Sequence, residues 1–569
     1  MSVAELVLAL PRQRAIARTS RSWSEPQVVF GVVAVVYVCT AGFLASHNVI
    51  VGDVLSRTEN AERILFSRDP HLAAIGFVWS PLPVLALLPL IPLKDLWPAL
   101  TQLGLASDIV SAIAMAFGAV QIRGVLADMG VRRGARLFLT AVFAIHPLVL
   151  YYGANGMSEA LLLAFLITAV RQLMRWLQTF DVGALSNTGL ALAFAYLSRY
   201  EALAAAAAVA CLVGGVSWRV NRRGAHEPWS YALCDVALVA APIMLAFLFW
   251  AGTSWLITGH ASDQTSSIYG NSNMLRVRGL AGWSGPIFET VVKQLLFLAP
   301  LLPILLVTSV ATLRRRHGKP AFQAAVTILG ATLTFMIWAD LSGSIDVELR
   351  YLITIVPLTV IIAGTFFAAG RKGASSVRAH DANSPPRRTS GRGVFRGTVV
   401  LGLIATVVIS GFAIGDQALC SVNPVEAYML QSVVSQSSAM QRRATEDWAT
   451  ERIIAADLDS MNLPRGSVLV DDFSGFAVVL SSRNPQQFVI TSDRDFQSAV
   501  ADPWSVSVKY ILVPEPTGVN ILNAVNRWYP ELYDNGGGIA HLVKAYAGTG
   551  LVDANWRLYQ LDSSVPNGG

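Results

Sequence analysis

The chain is divided into apolar runs of roughly 17–25 residues by short arginine clusters, a spacing that leaves few folds open to it. Runs of that length match the bilayer's hydrocarbon thickness. A helix crosses there because it satisfies its own backbone donors and acceptors where no water can. Composition agrees: 53% of residues are hydrophobic and 14% charged, against about 25% charged in soluble domains. An ordinary soluble enzyme is excluded. The net charge of +6 does not point to nucleic acid, because the basic residues lie between the apolar runs, where they orient a chain in a membrane. Cys39, Cys211, Cys234 and Cys420 show neither metal-ligand spacing nor a disulfide framework.

Placing every basic cluster on the cytoplasmic side gives about eleven spans: 29–46, 99–120, 137–153, 158–177, a two-helix hairpin over 187–217, 231–257, 289–311, 321–341, 350–370 and 398–416. The fold class is therefore a polytopic α-helical membrane protein of the cytoplasmic (inner) membrane. Its domains are a cytoplasmic N-terminus (1–28), a transmembrane domain (29–416) and an extracytoplasmic α/β domain (417–569). Trp79–Leu93 carries Pro81, Pro83, Pro89 and Pro92 and is too short to cross, so it reads as re-entrant or interfacial. The 187–217 hairpin hinges near Arg199-Tyr200-Glu201, and 371–397, rich in Pro, Ser, Gly and Arg, reads as a disordered cytoplasmic linker.

In the tail, 424–460 has helical composition, Ser467–Asp471 and Lys509–Val513 read as buried strands, and Trp556–Leu561 alternates like an edge strand. Neither a Gly-rich phosphate loop nor a nucleophile elbow occurs in it. Asp471-Asp472 follows the first strand, where α/β sheets place ligand groups. A solvated strand end is the plainer reading.

The outward loop 47–98 concentrates Asp53, Arg57, Glu59, Glu62, Arg63, Arg68, Asp69 and His71 beside the membrane, with Val54, Ala61, Ile64 and Leu65 near helical spacing. An acid just after the first span, this amphipathic stretch and then Trp79-Ser80-Pro81-Leu82-Pro83 resemble the membrane-embedded GT-C glycosyltransferases, which use polyprenyl-phosphate sugars. Asn155–Phe165 (NGMSEALLLAF) resembles that superfamily's Ser-Glu/Asp element. Leu197–Ala204 (LSRYEALA) resembles its Arg-x-Glu segment, and Glu348–Leu358 (ELRYLITIVPL) its late Arg-Tyr…Pro element. The resemblance covers roughly 40–415, with the tail attached in the usual place. One departure is that Trp79-Ser80 stand where members often carry a basic residue, which leaves open what meets the donor phosphate there.

The resemblance implies an inverting transfer of a sugar, with mannose or arabinofuranose favoured, from a polyprenyl-phosphate donor to an envelope glycan, lipid or protein on the outer membrane face. Such a transfer needs a base for the acceptor hydroxyl, and Asp53 is the best-placed carboxylate. The leaving phosphate monoester needs a cation, for which Arg350 and then Arg199 are candidates. Glu159, Glu201, Asp69, His71 and Tyr351 are candidates for sugar or acceptor recognition. Arginine alone can handle one phosphate, so no cofactor or metal is required, although a divalent metal stays open.

Each candidate has a plainer reading. For Asp53 it is a solvated loop acid or the start of an amphipathic helix, for Glu159 a helix-dipole partner and for Arg350 a snorkelling interfacial arginine. Arg199 and Glu201 can simply neutralise each other, and Asp69 and His71 can be plain surface residues. Asp108, inside an apolar run, calls for a polar partner. Tyr269, Arg276 and Arg278, in loop 258–288, are candidates for contact with acceptor or lipid headgroup. The competing functions are an envelope-lipid transporter or flippase, which paired broken helices and internal repeats would favour, and a non-catalytic envelope-assembly scaffold.

Overall fold

The computed structural model describes residues 23–222, 227–277, 285–312, 318–368, 390–416, 419 and 425–562. Arg12, Arg14, Arg18, Arg21, Arg223, Arg278, Arg314–Arg316, Cys420 and most of the 371–397 linker lie outside the described residues. In chain order the main helices are α1 (Glu25–Ser46), α2 (Gly52–Phe66), α3 (Leu105–Asp128), α4 (Arg133–Ile145), α5 (Glu159–Thr179), α6 (Val182–Ser198), α7 (Ala202–Asn221) and α8 (Pro228–Thr258). There follow α9 (Gly285–Leu298), α10 (Leu302–Thr312), α11 (Lys319–Leu341), α12 (Leu349–Phe367) and α13 (Ser390–Ile414).

Among the described residues, eight helices are long and apolar enough to cross a membrane, namely α1, α3, α5, α7, α8, α11, α12 and α13. The α9–α10 pair, bent by 77°, makes a ninth if it counts as one span. The other two apolar runs form α4, which stops before Pro147, and α6, with 13 and 17 residues. The chain is a multi-pass membrane protein. Trp79–Leu93 contains only the short helix Leu82–Leu87 and the start of a 3-10 turn, and the hairpin breaks at Arg199–Glu201 between α6 and α7.

Composition around each helix sets its depth. The lipid-facing side of α1 exposes Val28, Val32 and Val35, whereas the residues of α12 from Ile355 to Phe366 are all buried. Pro300 separates α9 from α10 and leaves helix-end carbonyls without an internal donor. Ser410 Oγ of α13 donates to Phe297 O at 3.1 Å and Leu298 O at 3.3 Å, which restores what the bend removes.

The two ends of the bundle differ. At one end Glu25 accepts from Arg123 and Arg136, and Asp128 from Arg171 and Arg175. The opposite end carries α2, the Tyr151–Glu159 loop, the α6–α7 hinge, the start of α12 and the tail.

The tail is an α/β unit with strands β1 (Val468–Leu469), β2 (Phe488–Val489), β3 (Tyr510–Pro514), β4 (Ala540–Tyr546) and β5 (Trp556–Leu561), in the order β2-β1-β3-β5-β4. The first three strands in that order are parallel, and β5 and β4 are antiparallel. Period-two alternation sorts Leu469, Val489, Ile511 and Val513 into one core and Val468, Phe488 and Leu512 into another. The expectation of an edge strand over Trp556–Leu561 is overturned: β5 pairs on both sides, and β4 is the edge.

The tail docks on α2. Trp448 Nε1 donates to Ile50 O at 3.1 Å, and Ile50, Leu55, Trp448, Ala477 and Leu480 form an apolar seam. Arg63 pairs with Asp472 at 2.6 Å, while Arg68 pairs with Asp493 at 3.0 Å and also with Asp495. A cavity of about 1390 Å³ lies between the tail and the helix ends.

Candidate active site

Helix α2 forms one wall of this cavity. Its apolar residues Val54, Leu55, Ala61 and Ile64 are buried, while Asp53, Ser56, Arg57, Glu59, Asn60 and Arg63 face the space on the other side. At 1.5 Å rise per residue, the wall from Asp53 to Arg63 runs about 15 Å from the bundle rim to the tail.

Asp53 opens onto the cavity and is 31% exposed. Arg350 Nη1 donates to Asp53 Oδ2 at 3.0 Å, and Arg57 Nη2 lies 3.8 Å from the same oxygen. Burial raises the Asp53 pKa, but the Arg350 and Arg57 charges outweigh it and hold the carboxyl below its ordinary value. Asp53 is therefore ionised at neutral pH, able to accept a proton.

Arg350 is also paired with its near neighbour Glu348, and its Nε lies 4.0 Å from Glu159 Oε1. Glu159, 1% exposed, accepts from Arg199 Nη1 at 2.7 Å, and Arg199 pairs in addition with Glu201. The Tyr351 ring lies beneath both guanidiniums, 5.6 Å from Arg199 and 5.1 Å from Arg350. Thus Asp53, Glu159, Arg199, Glu201, Arg350 and Tyr351, drawn from four separate segments, form one network at one end of the bundle.

Asp69 and His71 lie elsewhere on the rim. Asp69 faces the tail, where it accepts from Arg494 N at 3.2 Å, and it does not line the cavity. His71 does line it. Tyr269 donates to Asp471 at 3.0 Å and stacks on Phe473 at 4.7 Å, whereas Arg276 donates to Asn273 in its own helix. Asp108 sits under the Tyr151–Glu159 loop, where Gly156 adopts φ +76° and a Cβ would come within 2.8 Å of an Asp108 oxygen. Asp471 is fully buried, so the solvated reading is overturned. It caps helix Asp472–Ser481 through Phe473 N and accepts from Thr491 Oγ1 and Ala524 N, a structural hub.

Other residues enter the site without a local sequence signal. Glu426, 76 residues beyond Arg350 in the chain, lines the cavity and accepts from Tyr152 Oη at 2.7 Å. Burial raises its pKa, opposed by Arg350. Glu348 is pushed up to about 7 by burial, again with Arg350 opposing. Farther along α2, burial raises the Glu59 pKa well above its ordinary value despite Arg63 at 3.3 Å, and among the described residues its Oε1 has no hydrogen-bond partner. Arg57 was legible in principle, since it follows Asp53 by one turn on the same face.

Among the described residues, no group of three or more His, Cys, Asp or Glu side chains is arranged to hold a metal ion. The network can take up a proton at Asp53 and present guanidiniums to an anion in a space large enough for two substrates.

No known family profile matches the chain, and no curated protein matches it. Among solved structures, ArnT from Cupriavidus metallidurans bound to undecaprenyl phosphate aligns with a TM-score of 0.53 at 15% identity, covering 94% of this chain and 97% of that one. The apo form of that protein gives a TM-score of 0.49 at 13% identity, with the same coverages. The archaeal oligosaccharyltransferase AglB from Archaeoglobus fulgidus, in complex with an inhibitory peptide and a dolichol-phosphate, gives 0.36 at 11%, covering 86% of this chain and 69% of that one. The alignment to the undecaprenyl-phosphate-bound structure spans nearly all of both chains and shows that the two share a fold.

Proposed function

We propose that the protein is an inverting glycosyltransferase that moves a sugar from a polyprenyl-phosphate donor to a hydroxyl acceptor on the outer face of the cytoplasmic membrane. One observation carries the reading: Asp53, its pKa lowered by Arg350 at 3.0 Å and by Arg57, lines a large cavity beside the membrane-spanning helices. The GT-C-type fold supports it, shared with a protein solved with undecaprenyl phosphate bound.

In this reading Asp53 takes the acceptor hydroxyl's proton as that oxygen attacks C1 of the sugar. The C1–O bond to phosphate breaks, its electron pair stays on the phosphate oxygen, and polyprenyl phosphate departs. The arginines offset the charge that develops there, in a site where fixed cations act more strongly than in water. One base on the face opposite the leaving group gives inversion at C1. Glu159 and Glu201 orient Arg199, and Tyr351 floors the network, so the carboxylates named for sugar recognition act first by fixing the guanidiniums. Glu59, Asn60 and the tail residues lining the cavity form the acceptor wall.

The test is incubation of purified protein in lipid nanodiscs with a panel of polyprenyl-phosphate sugars, mannose and arabinofuranose first, and envelope glycan, lipid and protein acceptors. The reading predicts release of polyprenyl phosphate and a product of inverted anomeric configuration for at least one donor. Retained configuration would remove the single-displacement mechanism, and no release from any donor–acceptor pair would remove the reaction.

A further inference from the structure

Of the three guanidiniums around Asp53, two are already occupied. Arg350 has Asp53 at 3.0 Å, Glu348 in contact and Glu159 at 4.0 Å. Arg199 has Glu159 at 2.7 Å, Glu201 in contact and Ser158 Oγ at 3.3 Å. Arg57 differs. Its residue is 4% exposed, yet among the described residues its closest carboxylate oxygen is 3.8 Å away and its hydrogen-bond acceptor is a thioether, Met157 Sδ, at 3.5 Å.

A buried guanidinium normally finds oxygen partners for its five N–H donors, because leaving them unmet is costly. The environment of Arg57 is unfavourable in a second way. Burial lowers its pKa, Asp53 and Glu159 oppose that effect, and the nearby Arg199 and Arg350 charges add to it. The side chain is nonetheless held in place. Its guanidinium carbon lies 5.4 Å from the centre of the Trp79 ring, and α2 fixes its backbone one turn beyond Asp53. A fork that is buried, aimed at the cavity and short of oxygen acceptors fits a tetrahedral oxyanion, which supplies such acceptors in a bidentate arrangement.

We infer that Arg57, stacked on Trp79, is the principal ligand of the lipid donor's phosphate, while Arg350 and Arg199 chiefly fix the carboxylates around it. This inference rests on the glycosyltransferase reading and assigns the phosphate within it. It also gives the Trp79-Ser80 position a role. The aromatic ring supplies no charge itself and instead steadies a cation that arrives from α2. Arg57 and Asp53 share one face of one helix, with Arg57 Nη2 3.8 Å from Asp53 Oδ2, so a phosphate held by Arg57 sits beside the base.

The test uses the full chain in nanodiscs and undecaprenyl phosphate as the probe, with affinity read by native mass spectrometry and the bound phosphate's ionisation read by ³¹P resonance against pH. Loss of a charge-assisted pair corresponds to about a tenfold to hundredfold weaker Kd for R57Q. R57K, which keeps the charge but not the fork, should bind with intermediate affinity, and W79A severalfold more weakly than wild type. The second ionisation of the bound phosphate, depressed in wild type, should return toward its free value of about 6 in R57Q. R350Q should weaken binding less than R57Q does.

If wild type binds and R57Q binds equally well, or if R350Q has the larger effect, the assignment to Arg57 is overturned while the glycosyltransferase reading stands. If wild type itself fails to bind, that reading falls, and the inference with it. Should R57Q not fold, R57K and W79A decide: wild-type affinity and an unchanged ³¹P titration in both would overturn the proposal.

Discussion

Replacing Arg350 with Gln removes the charge that Asp53, Glu348 and Glu159 share. At the observed 3.0 Å separation from Asp53, the Coulomb attraction at an effective dielectric of ~20 is about 5.5 kcal/mol. Part of that offsets desolvation of the pair. The net cost of removing one partner from such a buried network is about 3–5 kcal/mol, because the remaining carboxylates are left facing one another. They can relieve this by taking up protons, which makes the cost depend on pH. In wild type the folded pKa of Asp53 lies below its unfolded value of about 3.9. Its contribution is therefore present above that value and lost only as pH falls through the lower, folded one. In the variant burial is no longer opposed by Arg350, so the folded pKa rises, and the stability that remains is lost as pH increases. The gap between wild type and R350Q should widen with pH, by up to about 1.4 kcal/mol per unit for each proton the variant retains. Thermal unfolding in one detergent at pH 5, 6, 7 and 8, with R350K as the charge-retaining comparison, reads this directly. The acid limb of kcat/KM should move upward in the same variant. A gap that is constant with pH, or larger at pH 5 than at pH 8, would refute the placement of Arg350 as the group that keeps Asp53 ionised.

Three further outcomes follow from other parts of the structure. R68A leaves the fully buried Asp493 carboxylate without its guanidinium and should cost about 3 kcal/mol, seen as faster proteolysis at the junction between tail and bundle. G156A places a Cβ where φ is +76° and Val54 lies 2.7 Å away. It should lower stability by about 1–3 kcal/mol and, by displacing the residue next to Asp53, reduce kcat more than it changes donor KM. Glu451 is buried in the tail and its pKa is pushed up to about 7. Because the folded value exceeds the unfolded one of about 4.3, stability is lost as pH rises from about 4 to 7 and is level above that, so the stability of E451Q relative to wild type should rise between pH 5 and 7 and stay flat from pH 7 to 9, checked by paired melting curves.

Local signals made much of this protein legible. Apolar length placed the membrane helices, four prolines kept Trp79–Leu93 from forming a span, and the polar triplet Arg199-Tyr200-Glu201 marked the break between α6 and α7. Sidedness gathered Asp53, Glu159, Arg199 and Arg350 at one end before any contact was known. What stayed hidden depends on long-range packing. No local pattern links Glu426 to Tyr152, or Arg63 to Asp472 across 409 positions. Asp69 is drawn out of the cavity by Arg494, a partner in the tail. Strand β5 looked like an edge because Arg557 and Gln560 interrupt its apolar residues. Its neighbour β4 carries consecutive exposed residues from His541 to Ala545 and follows a run of three glycines, so no alternation marks it as a strand. Asp471 looked solvated because a strand-end acid is usually exposed, and only the converging Thr491, Ala524 and Tyr269 donors bury it.

The central claim is that Asp53 is the base of a sugar transfer from a lipid phosphate. Its most direct test compares wild type with Asp53→Asn, both verified as folded, for release of polyprenyl phosphate from the donor that wild type turns over. The account predicts at least a hundredfold lower kcat in the variant, as loss of a general base costs about 10²–10⁴-fold, with undecaprenyl phosphate still bound. Equal turnover by the two proteins would contradict it.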